Sequence, residues 1–221
     1  YRGCFIQDFQ KISYDLMRKG HRPVFPAGAL SIRRRTMQEM RRKDREIKDF
    51  DKIIEIMNQC DVCRIALNDE EGFPYIVPLN FGMDIEENNQ VVLYFHCAMK
   101  GKKLDLIKKD NRATFEMDCD HNFILYEERM SCTMGFASVI GRGTIEFVPD
   151  EDKFRALKIL MRQYHSEDFK FNTEMIKVTT VLKMTVTDMV GKRRDNIHKN
   201  EKGKNINETI YGGVWRNTDR V

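Results

Sequence analysis

Gly72-Phe-Pro-Tyr-Ile-Val-Pro-Leu-Asn-Phe-Gly82 and, after a polar loop, Val91-Val-Leu-Tyr-Phe-His-Cys-Ala-Met-Lys-Gly-Lys-Lys103 decide the fold. Two apolar runs flank the acidic, Asn-rich loop from Asp84 to Asn89, and this pattern predicts a hairpin. The second run ends on His96, and Gly101, Lys102 and Lys103 follow shortly after, opening a short helix predicted from Lys102 to Lys109. An imidazole, a glycine and two ammonium groups where a strand gives way to a helix suit an anion. The side chains bring charge, glycine allows close approach, and the first N–H groups of a helix point outward.

Each part also has an ordinary reading. His96 alone reads as a strand-end histidine satisfied by a backbone carbonyl, and the two lysines alone read as a solvated helix start. Positive side chains at a helix N-terminus oppose its dipole, so the pair calls for a compensating anion or for distance from the first turn. Val77-Pro-Leu-Asn-Phe-Gly82 reads either as a barrel strand with an edge proline or as a ligand-lining strand. In the second case Pro78 leaves backbone groups unpaired. With the Asn80 amide, these meet the polar rim of a flat heterocycle whose faces are covered by apolar neighbours.

Upstream, Asp44 is placed as the N-cap of an amphipathic helix carrying Ile47, Phe50, Ile54 and Met57 and ending near Gln59. Val62 to Leu67 reads as a strand, with a turn from Asn68 to Gly72. Downstream come a strand from Ala113 to Met117, a long loop from Cys119 to Arg129, and an alternating segment from Ser131 to Phe147 bent at Gly135, Gly141 and Gly143. Pro149 to Asp152 opens a helix whose apolar face is Phe154, Leu157, Leu160, Met161 and Tyr164. Thr179 to Val190 is expected as the last strand. The sum is mainly β: six or seven largely antiparallel strands with three peripheral helices, in a closed or partly closed barrel. Strands that come in runs disfavour a doubly wound sheet.

Charge is uneven. Residues 1–46 carry a balance of +7 and residues 191–221 a balance of +4, while 47–190 sit at −7. This predicts a basic, poorly ordered extension over 1–39, an acidic globular domain over 40–192 and a polar basic tail over 193–221, mobile apart from a local docking of Trp215. Nucleic-acid binding is disfavoured for the central domain. The chain opens on Tyr1, and Met37 or Met40 is expected as a natural start. No stretch has the apolar length of a membrane-spanning helix and no signal peptide opens the chain, so the six cysteines are expected as reduced thiols in a cytoplasmic protein.

Several chemistries find no motif. Gly141-Arg-Gly143 begins a dinucleotide fingerprint, but Glu146 stands where the third glycine belongs. Walker A, His-Glu-x-x-His and Gly-x-Ser-x-Gly patterns are missing from the sequence. Cys60-Asp-Val-Cys63 lacks a second pair of zinc ligands at suitable spacing, the nearest being Cys119-Asp-His121, and it does not open a helix as a redox pair should. Buried, inert thiols are expected, and no metal site.

Six ordered blocks resemble the Nim-type nitroimidazole-resistance proteins of the pyridoxamine 5′-phosphate oxidase-like, FMN-binding split-barrel superfamily. They are Met40 to Ile47, Val62 to Ala66, Tyr75 to Gly82, Leu93 to Ala98, Gly101 to Ile107 and Ser138 to Gly143. The resemblance spans residues 40–192. It implies a split β-barrel that dimerises, with FMN at the subunit interface. Val77, Pro78, Leu79, Asn80 and Phe81 would line the isoalloxazine, and His96, Cys97, Lys102 and Lys103 would surround the phosphate. Ser138 would approach from the barrel or the partner chain. Where many relatives carry Ser after the strand-end His, this chain has Cys97, a weaker hydrogen-bond donor.

The resemblance implies an FMN-dependent oxidoreductase reducing small aromatic nitro compounds, with His96 as catalytic proton donor or phosphate ligand. The electron donor is open. Alternatives are a non-catalytic flavin- or haem-binding module with His96 or His121 as axial ligand, and a pyridoxamine phosphate oxidase-type enzyme. A third is an interaction protein binding nucleic acid through its tails.

Overall fold

The computed structural model describes residues 39–126, 130–165, 169–194 and the backbone of 209–211. All belong to the second of two units into which the chain divides, Met37–Val221. The extension expected over 1–39 lies outside the described residues except at its last position, as does most of the tail, including Trp215.

Nine strands are defined among the described residues: β1 (Glu46–Ile47), β2 (Cys63–Asn68), β3 (Pro74–Leu79), β4 (Gly82–Glu86), β5 (Gln90–Cys97), β6 (Arg112–Tyr126), β7 (Ser131–Phe147), β8 (Thr180–Arg194) and β9 (Thr209–Tyr211). They form one antiparallel sheet in the order β3-β2-β6-β7-β8-β5-β4, with β1 on β8 and β9 on β6. Four helices accompany it: α1 (Phe50–Gln59), α2 (Lys102–Lys109), α3 (Lys153–Arg162) and α4 (Thr173–Lys177). The fold is therefore mainly antiparallel β with few helices, as the sequence implies.

The two edge strands, β3 and β4, are consecutive in sequence and joined only by Asn80 and Phe81. No ladder joins them among the described residues, so the sheet curls toward closure and stays split along a seam. Pairing of β5 with β4 stops at Tyr94, opposite Gly82. Phe95 to Cys97 therefore pair with β8 on one side and face the seam on the other.

Inside the curl lies a contiguous apolar core that includes Ile56, Met57, Ile65, Phe81, Leu93, Phe95, Phe115, Met117 and Leu182. No polar or charged residue among those described is buried with them. Each such large side chain contributes about 1.5–3 kcal/mol on burial. A second cluster, with Val92, Tyr94, Val148, Ala156, Leu157 and Val181, lies on the other face of β5 beneath α3. Burial on both faces explains the unbroken apolar run Val91 to Phe95. The α3 backbone crosses Gly82 so closely that a Cβ there would meet Leu160 Cα at 2.3 Å.

Several boundaries differ from expectation. The helix cap is Asp49, whose carboxylate accepts from the Lys52 N–H at 3.0 Å. Asp44 instead accepts from the Arg42 guanidinium at 2.7 Å, and Ile47 is drawn into β1 opposite Gly191. Only Gly82–Glu86 pairs with β5, because Pro74–Leu79 is taken by β2. The hairpin turn holds Asn88 and Asn89, both near φ +60°. The loop expected from Cys119 is mostly strand: β6 continues to Tyr126, absorbing a register shift between Cys119 and Asn122 with Asp120 at φ +58°. Pro149 to Asp152 precedes α3 rather than forming its first turn, α4 was not foreseen, and β9 follows the strand expected to be last.

Candidate functional site

Strand alternation decides which of the candidate residues share a face. On β3, Tyr75, Val77 and Leu79 turn inward, half-buried against the core, while Pro74, Ile76 and Pro78 are exposed outside. Pro78 lies opposite Arg64 on an edge strand, where a missing N–H is tolerated. In the link, Asn80 is exposed and its Nδ2 donates to the Asp61 carbonyl at 3.4 Å. Phe81 was expected beside a flat ring. Instead it sends its side chain into the core as the chain crosses from one barrel edge to the other. Its N–H donates to the Tyr164 hydroxyl at 2.9 Å, and that hydroxyl donates to the Asp61 carbonyl at 2.8 Å. Tyr164, read from sequence only as part of a helix face, thus pins the link.

The same alternation divides the end of β5. Cys97 is half-buried and packs against the barrel core, whereas His96 is exposed on the opposite face, across from Val181. Among the described residues the His96 ring makes no hydrogen bond or ion pair.

At α2 the N-cap is Gly101, at φ +143° and ψ +158°, a region open essentially to glycine alone. Its carbonyl accepts from the Leu104 N–H at 2.9 Å, closing the first turn. The N–H groups of Lys102 and Lys103 have no acceptor among the described residues, as helix geometry requires of a first turn. Lys103 is half-buried with no ion pair among those residues. Burial pushes the Cys97 thiol up, and the nearby Lys103 ammonium offsets part of that rise.

Lys102 is differently placed. Its Nζ lies 2.5 Å from the Asp69 carboxylate and 5.1 Å from the Tyr75 ring centroid. The hydrogen bond raises the Lys102 pKa and lowers that of Asp69. The anion that an N-terminal lysine calls for is thus supplied within the chain for one lysine of the two.

Ser138 sits mid-strand between Asp118 and Lys192, on the outer face of the sheet. Within one chain it does not join the inward group of Val77, Leu79 and Cys97. That outer face carries a network invisible in sequence. Arg64 bridges Asp118 and Glu116, the latter at 3.1 Å, and His121 Nε2 stands 2.6 Å from Asp118. His121 is therefore engaged. Cys60 and Cys63 are buried, burial pushes both thiols up, and Cys60 Sγ donates to the Ile56 carbonyl at 3.2 Å. Two cavities, one of about 140 Å³ beside α3 and an open one of about 300 Å³ on the outer sheet face, contain none of the ten candidate residues.

The family model described as pyridoxamine 5′-phosphate oxidase matches residues 49–193. The chain belongs to the pyridoxamine 5′-phosphate oxidase family. A protein of known structure, a candidate 5-nitroimidazole antibiotic resistance protein from Bacteroides thetaiotaomicron, shares 32% identity. The match covers 67% of this chain and 86% of that one, with a TM-score of 0.58. The FAD and heme binding protein from Mycobacterium smegmatis has the same fold at 14% identity, covering 80% and 91% of the two chains with a TM-score of 0.62. The flavocytochrome Anf3 from Azotobacter vinelandii does so at 14% identity, covering 72% and 73%, with a TM-score of 0.58. No match was found among curated proteins. Among the described residues, this family member has no helix long and apolar enough to cross a membrane.

Proposed function

We propose that the protein is an FMN-binding oxidoreductase that reduces small aromatic nitro compounds, with the flavin phosphate at the start of α2 and the ring along the seam. One observation carries the reading. Lys103 and the open N–H groups of α2 stand beside half-buried Cys97, and no carboxylate among the described residues answers Lys103. A phosphate suits charge-assisted donors reached past a bare glycine. A flat heterocycle suits an apolar row beside an unpaired strand edge. Family membership and the 32% identity to the Bacteroides protein support nitro compounds as the substrate class.

The flavin, when bound, relays electrons from a reductant to the acceptor. The chain binds, orients and shields. Lys103 and the N–H groups of Lys102 and Lys103 hold the phosphate, with the Cys97 thiol as an additional, weaker donor. Val77 and Leu79 cover the ring, and the open edge of β3 around Pro78 and Asn80 meets its polar rim. His96, with both ring nitrogens open on the opposite face of β5, delivers protons to an acceptor that reaches round the end of the strand to that side. A second copy of the chain completes each site in a cytoplasmic homodimer, and the outer face carrying Ser138 is the surface offered to it.

The test is the visible spectrum of the purified protein, with chromatography of the cofactor released on denaturation. Dithionite-reduced protein is then titrated anaerobically with metronidazole. A yellow protein that releases FMN and recovers its oxidised spectrum on adding the drug is expected. A colourless protein that takes up no added FMN overturns the cofactor assignment. A flavin that stays reduced overturns the reaction alone.

A further inference from the structure

The cavity of about 140 Å³ beside α3 lies on the face of β5 turned away from the barrel interior. Its volume is close to that of a pocket able to hold one benzene ring. Its floor is apolar, formed by Val148 and Ala156, and Phe147 stands in the wall. Tyr94 is 6% exposed and lines this space, yet its hydroxyl has no hydrogen-bond partner among the described residues. The ring is buried while the hydroxyl oxygen opens to the cavity, where it offers hydrogen-bonding capacity to whatever occupies that space.

Charge around the mouth decides what that is. The two cations are already engaged: Lys183 Nζ lies 2.9 Å from Glu86, and Arg155 Nη2 lies 3.5 Å from Asp84. Glu146 and Asp152 line the same mouth and are exposed. Glu146 stands opposite Lys183 across the β7–β8 ladder and feels its charge without a direct ion pair, and Asp152 has no ion pair among the described residues. Asp152 occupies the N-cap position of α3 without making a capping hydrogen bond, so its carboxylate stays open. The start of α3 presents a partial positive charge of about half a unit, and the three carboxylates of Glu86, Glu146 and Asp152 still outnumber the two cations, Lys183 and Arg155, that line the space.

We propose that this cavity is a second binding site, distinct from the seam, for a small organic cation: a primary ammonium on a body the size of one ring. The ring occupies the space over Val148 and Ala156. The ammonium lies between Glu146 and Asp152 and donates to the Tyr94 hydroxyl.

Benzylamine, benzyl alcohol and benzoate titrated by calorimetry into the full chain test the site. Benzylamine binding at a 1:1 ratio is expected, at least tenfold tighter than either control. Glu146→Gln with Asp152→Asn should weaken it about tenfold or more, since both carboxylates lose their charge toward the ammonium. Both residues are exposed, so the thermal midpoint should hold, and Tyr94→Phe should weaken binding while keeping the ring. Benzoate binding in place of benzylamine, absence of benzylamine binding, or affinity indifferent to all three substitutions overturns the proposal.

Discussion

Lys102 and Asp69 are joined at 2.5 Å, tying the first residue of α2 to the turn between β2 and β3. Lys103, one residue on, has no such partner among the described residues. Adjacent lysines that look equivalent in sequence therefore differ in what they can offer an anion. Lys103→Ala should weaken FMN binding about tenfold or more, the loss of one charge-assisted hydrogen bond, whereas Lys102→Ala should change it about threefold or less. Quenching of flavin fluorescence on titration with protein measures both. Equal losses would show that Lys102 leaves Asp69 for the phosphate.

The same pair predicts a pH response. Lys102 lowers the Asp69 pKa in the folded protein, so the contact adds stability above the unfolded carboxylate pKa. That contribution disappears as pH falls through the depressed folded value. A carbon-detected NMR titration should find Asp69 below the usual Asp range, and Lys102→Ala should return it upward.

Tyr164 holds the link between the edge strands through two hydrogen bonds, 2.9 Å from the Phe81 nitrogen and 2.8 Å to the Asp61 carbonyl. Tyr164→Phe keeps the ring but leaves the Phe81 N–H without its acceptor, which should cost about 1–3 kcal/mol. Urea unfolding reads the loss as a lower midpoint at unchanged slope.

Gly101 stands at φ +143° with open space around it, so crowding is not what requires glycine there. Gly101→Ala should cost about 1–3 kcal/mol in backbone strain and weaken FMN binding as well. Chemical denaturation and flavin titration of the same variant separate the two effects.

Thiol reactivity should follow burial. Cys132 is exposed, while Cys60 and Cys63 are buried with thiols pushed up. Among the described cysteines, iodoacetamide at neutral pH should label Cys132 first and leave Cys60 and Cys63 unlabelled until the protein unfolds, as peptide mass spectrometry reads directly.

Local patterns were legible where one physical rule governed them. Alternation and β-branching marked β2, β8 and the apolar part of β5, and the helix from Lys102 to Lys109 is where spacing put it. The cap of α1 was misplaced because Asp44 and Asp49 both fit the local rule, and a nonlocal strand pairing at Ile47 decided between them. The long β6 was hidden because polar residues on its solvent face resemble a loop. At the seam, alternation makes the inward turn of Val77 and Leu79 legible, but that of Phe81, which lies beyond the strand, is not. The resemblance groups His96 with Cys97, whereas strand geometry sends these neighbours to opposite faces. The pairing of Asp69 with Lys102 joins residues far apart in sequence, and no local pattern announces it.

In most sheets the two outermost strands are far apart along the chain, and what lies between them is fixed by everything the chain does in the interval. Here the interval is Asn80 and Phe81. Each residue added to a connection lengthens its reach by at most about 3.3–3.6 Å. The width of the barrel mouth is thus written as a length, in the number of residues between Leu79 and Gly82. An insertion there would widen the mouth without touching a strand ladder, and what it would disturb is Phe81 and its tether to Tyr164.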